Sequence, residues 1–178
     1  SMAAQGRDIK LSEQRVEGGR NFATKLWNAA RYCQMNGVVP VPGFVPASAT
    51  LTVNKWILGE LARATAETSA AIDGFKFNEA ANAGYQFAWG TFCDWYLEFT
   101  KPILNGGDEA AKAETRATTA FVLANLLKLL HPVMPFITEE LWERLGFADG
   151  SMLLVAPWPD LPASIGDEAA SAELNWIV

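Results

Sequence analysis

The strongest constraint on this chain's fold is a seam of rings and alanines. Phe77, Ala81, Tyr85, Ala88, Phe92, Trp95 and Phe99 follow one another at steps of 4, 4, 3, 4, 3 and 4. Steps that alternate between three and four place all these side chains on one face of an α-helix. A strand changes face at every residue and would scatter them. A seam this long has to be covered along its length by other helices.

The flanking sequence supplies those helices. Ser12 ahead of Glu13 and Gln14 reads as the cap and first turn of an opening helix. Gly18 and Gly19 weaken that helix by about 1 kcal/mol each relative to alanine, and Asn36-Gly37 stops it. Pro40, Pro42 and Pro46 make residues 38–50 an extended connection across the bundle end. A second helix is expected from about Val53 to Ile72, with Asp73-Gly74 as the turn. The ring-bearing third helix ends at Pro102 and Asn105-Gly106-Gly107. Asp108 caps a fourth helix that runs to about Leu130, carries Leu123, Leu127 and Leu130 on one side, and breaks at His131-Pro132. A short fifth helix spans Thr138 to Leu145. Residues 147–162 read as a loop with extended pieces around Trp158, and Asp167 opens a last helix that the chain end cuts short.

The predicted fold class is therefore all-α, an up-and-down helical bundle of four long helices plus a short fifth helix and an irregular C-terminal tail. Residues 1–5 read as a cloning scar and linker, because Ser1 precedes an apparent start at Met2. Residues 6–146 form the bundle, and 147–178 the C-terminal loop and the start of a truncated helix.

Several function classes drop out. Half of the 178 residues are apolar, which makes a folded core and not a disordered tail. No run of about 18 uncharged apolar residues suggests a membrane span, and no charged start with an apolar core suggests secretion. Cys33 and Cys93 fall on apolar stripes, the pattern of reduced, buried thiols in a cytoplasmic protein, although one disulfide between them stays geometrically open. The single histidine, His131, is expected to cap the last carbonyls of the fourth helix, and nothing near it has metal-ligand spacing. Glu139, Glu140 and Glu143 read as a solvated acidic face. No phosphate-binding loop, dinucleotide fingerprint or catalytic triad occurs. The chain offers no self-sufficient active site and calls for no cofactor of its own.

The first helix is more suggestive. Phe22, Leu26, Ala29 and Cys33 form its docking stripe, which leaves Arg20, Asn21, Asn28, Arg31 and Tyr32 elsewhere on its surface. Cations hold phosphates, amides read base edges, and a ring can stack on an unpaired base. Charge is distributed to match. Residues 1–36 carry six Lys/Arg against three Asp/Glu, while the rest carry eight against seventeen. A net charge of −6 argues against generic nucleic-acid affinity and for one localised contact.

Four segments carry a resemblance. RNFATKLWNAARY (Arg20–Tyr32) lies on the first helix and Trp56-Ile57-Leu58 on the second. FNEA (Phe77–Ala80) leads to FCDWYLE (Phe92–Glu98) and Lys101-Pro102 on the third, and HPVMPFITEELW (His131–Trp142) follows the fourth. With Pro157-Trp158-Pro159, they make the chain, from Gly6 to about Trp176, resemble the anticodon-binding domain of valyl-tRNA synthetases. The HPxMPFxTEELW pattern is similar across the valine, leucine and isoleucine enzymes, whereas RNFATKLWNAARY with FCDWYLE looks like the valine enzymes. Gly19 departs from the pattern, in which an aromatic is usual. The resemblance implies a domain that cradles the anticodon stem-loop of tRNA(Val). On residue chemistry, Arg15, Arg20 and Arg31 are the candidates for phosphates or base edges, Asn21 and Asn28 can donate and accept towards a base, and Tyr32 can stack on one. The resemblance also implies that the parent enzyme activates valine with ATP and Mg, and that catalytic and editing domains lie elsewhere in it, because the HIGH-like and KMSKS-like motifs are missing here. The competing readings are the equivalent domain of an isoleucyl- or leucyl-tRNA synthetase and, from another class, a helical protein-interaction module with no RNA role.

Overall fold

The computed structural model describes residues 12–178, with the side chains of Arg15 and Ala163 outside the described set. Residues 1–11, including the expected scar and linker, lie outside the described residues. The helices are α1 (Glu13–Met35), α2 (Thr52–Asp73), α3 (Phe77–Gln86), a π-helical stretch (Phe87–Tyr96), α4 (Leu97–Leu104), α5 (Glu109–Leu130), α6 (Pro135–Arg144) and α7 (Glu168–Leu174). No strand occurs among the described residues, so the fold is the all-α bundle expected.

α3, the π stretch and α4 form one rod, because the junction residues Phe87 and Leu97 keep helical dihedrals. This rod is the predicted third helix, but its buried face is rotated from the predicted seam. Ala88, Phe92, Tyr96, Thr100 and Leu104 are buried at uniform steps of four, whereas Phe77 is exposed and Trp95 and Phe99 are half-buried. A π-helix bonds i to i+5 and fits more residues into a turn than the 3.6 of an α-helix. Steps of four therefore stay on one face there. Pro102 does not end the rod; the helix passes through it to Leu104.

Asp108 accepts from the Ala110 and Ala111 amides at 2.9 and 3.1 Å, and Asp167 from Ala170 at 2.9 Å, which starts α5 and α7. α1 ends at Gly37, whose φ of +73° suits glycine, and Arg116 of α5 donates its Nε to the Asn36 carbonyl at 2.8 Å. α6 begins three residues earlier than expected, with Pro135 in its first turn, where a missing N–H costs nothing.

Two readings of side chains need correcting. His131 does not cap its own helix. Its Nδ1 lies 2.9 Å from Thr138 Oγ1, whose hydroxyl donates to the Met134 carbonyl at 2.8 Å, so the ring nitrogen is the donor. Glu139 is not part of a solvated face either. Its carboxylate accepts from the Leu153 and Leu154 amides at 2.6 and 3.2 Å and ties the following segment to α6, while Glu140 pairs with Arg144.

The residues after α6 fold back over α2. They form 3₁₀ turns at Leu153–Val155 and Ala163–Ile165 in place of extended pieces. Trp158 Nε1 donates to Ser69 Oγ, and Trp56 Nε1 to Asn175 Oδ1, both at 2.9 Å, while Lys55 pairs with Asp167 at 3.2 Å. Leu153, Ala170 and Leu174 join the core. Among the described residues, no helix is long and apolar enough to cross a membrane.

Candidate nucleic-acid interface

α1 positions the candidate side chains by what it buries. Phe22, Leu26, Ala29 and Cys33 are all buried against the π stretch and α5. At 3.6 residues per turn, the opposite stripe holds Arg20, Asn21, Thr24, Asn28 and Arg31, and all five are exposed. From Arg20 to Arg31 the stripe is about 16 Å long at 1.5 Å per residue. The side chains of Arg20, Asn21, Asn28 and Arg31 make no hydrogen bond or ion pair among the described residues. Two cations and two amides are thus free for a ligand on one rigid face. Arg15 lies on the same helix, but its side chain is outside the described set.

Tyr32 sits apart from this stripe. It is half-buried against the core, and its hydroxyl lies 3.2 Å from the buried Thr100 Oγ1. Only an exposed edge remains for a base, because the ring turns toward α4 and not toward the arginines. On the same flank, Lys25 stands 3.9 Å over the Trp89 ring and pairs with Asp94 of the neighbouring π stretch. Trp89 stacks in turn on Tyr85 at 5.7 Å. Lys25 carries a cation to the edge of the face and was not singled out in the sequence.

The other flank faces α6. The Arg144 guanidinium lies 5.3 Å over the Trp27 ring, and Gln34 Nε2 donates to the Arg144 carbonyl at 2.9 Å. Trp27 is therefore packed against a neighbouring helix. Trp27, Arg31, Gln34, Leu141 and Arg144 line a cleft of about 320 Å³. Arg144 adds a cation beside Arg31 that only tertiary structure reveals. Its sequence context is an ordinary i,i+4 pair with Glu140.

Nothing else at this face suggests chemistry beyond binding. Both cysteines are free thiols. Burial pushes the Cys93 thiol up to about 12, against the pull of nearby Lys25, and burial drives Cys33 up as well. Neither is a thiolate near neutral pH. Among the described residues, no group of three or more His, Cys, Asp or Glu side chains is placed to hold a metal ion. The arrangement can hold phosphates through Arg20 and Arg31 and meet base edges through Asn21 and Asn28, with Arg144, paired to Glu140, at its flank.

Residues 54–178 match the family described as anticodon-binding domain of tRNA ligase. Over all of the chain, the sequence is 58% identical to the valine–tRNA ligase of Caulobacter vibrioides; over 99% of it, it is 56% identical to that of Brucella suis and 54% to that of Rhizobium meliloti. These alignments take in α1, which the family match does not. The chain spans only about a fifth of the length of these relatives.

Proposed function

This chain belongs to the family of anticodon-binding domains of tRNA ligases, and from that premise we propose that its α1 face holds the anticodon stem-loop of a valine tRNA. Unpaired loop bases expose edges that a duplex hides, and a helix with free amides between free arginines is suited to them. The whole protein would attach valine to tRNA(Val) with ATP and Mg in the cytoplasm, its catalytic and editing domains lying outside this chain. This piece would hold and orient the tRNA.

The observation that carries the reading is the unengaged stripe of Arg20, Asn21, Asn28 and Arg31 beside Arg144. In this role Arg15 is a further candidate cation of the same helix, and Tyr32 offers its exposed edge to a neighbouring base. Filter-binding titration with valine tRNA tests it. Arg31→Ala is expected to weaken binding about tenfold, in line with the loss of one charge-assisted contact of roughly 1.5 kcal/mol. Arg63→Ala is expected to leave binding unchanged, since Arg63 lies on α2 and is already paired with Glu60 and Glu67. Tighter binding to an isoleucine or leucine anticodon would assign the domain to a sister enzyme, and no binding at about 100 μM, the weak end of non-specific contacts, would overturn the RNA reading.

A further inference from the structure

α3 faces two ways. Tyr85 turns to Phe22 of α1, with ring centroids 4.8 Å apart, while Asn78, Asn82 and Gln86 turn to α2. Together with α2 these three line a cleft of about 750 Å³ that the RNA reading does not use. Ala70, Ala71, Gly74 and Ala83 also line it, and side chains this small let a backbone approach closely. The side chains of Asn78, Asn82 and Gln86 make no hydrogen bond among the described residues. Three amides, each both donor and acceptor, therefore stand unengaged at one-turn intervals. A strained turn shapes the end of the cleft. Phe75 sits between Gly74 and Lys76, which both line it, and holds φ at +57°, where a bulky residue is rare. Amide bonds from Phe75 to the Ile72 carbonyl at 2.9 Å and from Lys76 to the Ala71 carbonyl at 2.8 Å fix the turn. The Phe75 ring is 71% exposed and stands edge-on to Phe77, itself 54% exposed. Strain that holds two rings in water is a mark of a binding element.

Charge and spacing indicate the class of partner. Arg63 pairs with Glu67 at 2.8 Å and Lys76 with Glu79 at 3.3 Å, so both cations of the cleft are compensated within it. Neither a phosphate nor a run of like charges gains much there. Unengaged amides suit a peptide backbone. Positions four apart on an α-helix are separated by a rise of about 6 Å. An extended chain turns its N–H and C=O groups to one side about every 6.7 Å. From Asn78 to Gln86 the two repeats drift apart by only about 1.4 Å, which the longer side chain of Gln86 can span.

We propose that the cleft between α2 and α3 takes an extended, uncharged segment of another protein. Asn78, Asn82 and Gln86 hold the backbone of alternate residues, and an apolar side chain of the segment rests on Phe75 and Phe77. This binding is separate from the tRNA reading, because none of the candidate RNA contacts lines the cleft.

Panning a display library of random dodecapeptides on the full-length protein that carries this chain tests it, after depletion on the triple variant Asn78→Ala, Asn82→Ala, Gln86→Ala. Depletion removes peptides that bind anywhere else. The recovered peptides, synthesised, are expected to bind the wild type at least tenfold tighter than the triple variant and to hold that affinity as salt is raised. Proline at alternate positions of a peptide should abolish binding, since it removes the backbone N–H, and Phe77→Ser in the protein should weaken it. The three amides bond nothing and alanine favours a helix, so the triple variant should keep its circular dichroism and its tRNA affinity. Recovery of no peptide that distinguishes the two proteins would overturn the proposal. So would recovered peptides that are highly charged and released by salt. Displacement of the peptides by valine tRNA would make the cleft an RNA contact, and self-association lost in the triple variant would make it a contact between copies; either result overturns the proposal. The valine tRNA titration can succeed or fail whichever of these is seen, so the two readings fail separately.

Discussion

Leu51 precedes α2 and has no side chain able to cap it. Glu114, 63 residues later on α5, supplies the missing acceptor. Its carboxylate takes the Leu51 and Thr50 amides at 2.9 and 3.0 Å and the Asn54 side-chain amide at 2.9 Å. Burial pushes its pKa upward, but the hydrogen bonds from Thr50, Asn54 and Leu51 outweigh burial and hold it below the ordinary carboxylate range. An acid whose folded pKa lies below its unfolded value, about 4.3 for glutamate, adds stability that is complete above that value and is lost as pH falls through the folded pKa. Glu114→Gln is therefore expected to cost about 2 kcal/mol at pH 7, the range for hydrogen bonds to a charged group. Urea melts of wild type and variant should converge as the pH is taken down through the carboxylate range. A gap that stays constant with pH would assign the loss to packing. The buried Tyr96 behaves differently. Its hydroxyl bonds Asn54 Oδ1 at 3.1 Å and lies 3.0 Å from Thr119 Oγ1, and burial drives its pKa up. It stays neutral throughout, so Tyr96→Phe should cost about 1–2 kcal/mol by stranding the Asn54 acceptor, with no pH dependence in that range.

At the scale of elements, α1 is both the presenting helix and a weakly propagated one. Gly18 and Gly19 lie in its second turn, and a methyl group added at either would meet nothing within 4 Å. Neither has a positive φ, so alanine fits the backbone. Gly18→Ala and Gly19→Ala are each expected to stabilise the first turns by up to about 1 kcal/mol, read as slower amide exchange at residues 17–22. Local signals of this kind made most elements legible in advance: Asp108 and Asp167 as caps, Asn36-Gly37 as a stop, and the apolar stripe of α1, all of whose members are buried. What stayed hidden depends on non-local partners. The π stretch cannot be read from a 3.6-residue pattern, because its register becomes visible only in the depth of Tyr96 and the half-exposure of Trp95. Glu139 looked solvated because its acceptors' partners, Leu153 and Leu154, lie on a later loop. At the candidate site, the free polar stripe of α1 followed from periodicity alone. The engagement of Tyr32 by Thr100 and the arrival of Arg144 beside Trp27 required the packing of α4 and α6.

On the proposed reading, the molecule as a whole confines its attraction for RNA to one side. A net charge of −6 coexists with a first helix whose exposed stripe holds unpaired arginines, while cations elsewhere are largely neutralised within their own helices: Arg63 with Glu60 and Glu67, Lys76 with Glu79, Lys101 with Glu98, and Lys112 with Glu109. Such pairs add little stability at the surface. They do quiet the background, because a phosphate approaching α2, α3 or α5 meets a compensated charge. Binding should therefore release few counterions. For single-stranded contacts the logarithm of the binding constant falls with the logarithm of salt at about 0.7 per phosphate neutralised. If Arg20 and Arg31 carry the contact, Arg144 being compensated by Glu140, the slope between 50 and 200 mM salt is expected at about −1.4, well short of the steep dependence of broadly basic proteins. Arg31→Ala should flatten it by about 0.7, and Lys112→Ala should leave it unchanged. A steep slope that survives Arg31→Ala would mean that phosphates are held on a surface other than the exposed stripe of α1.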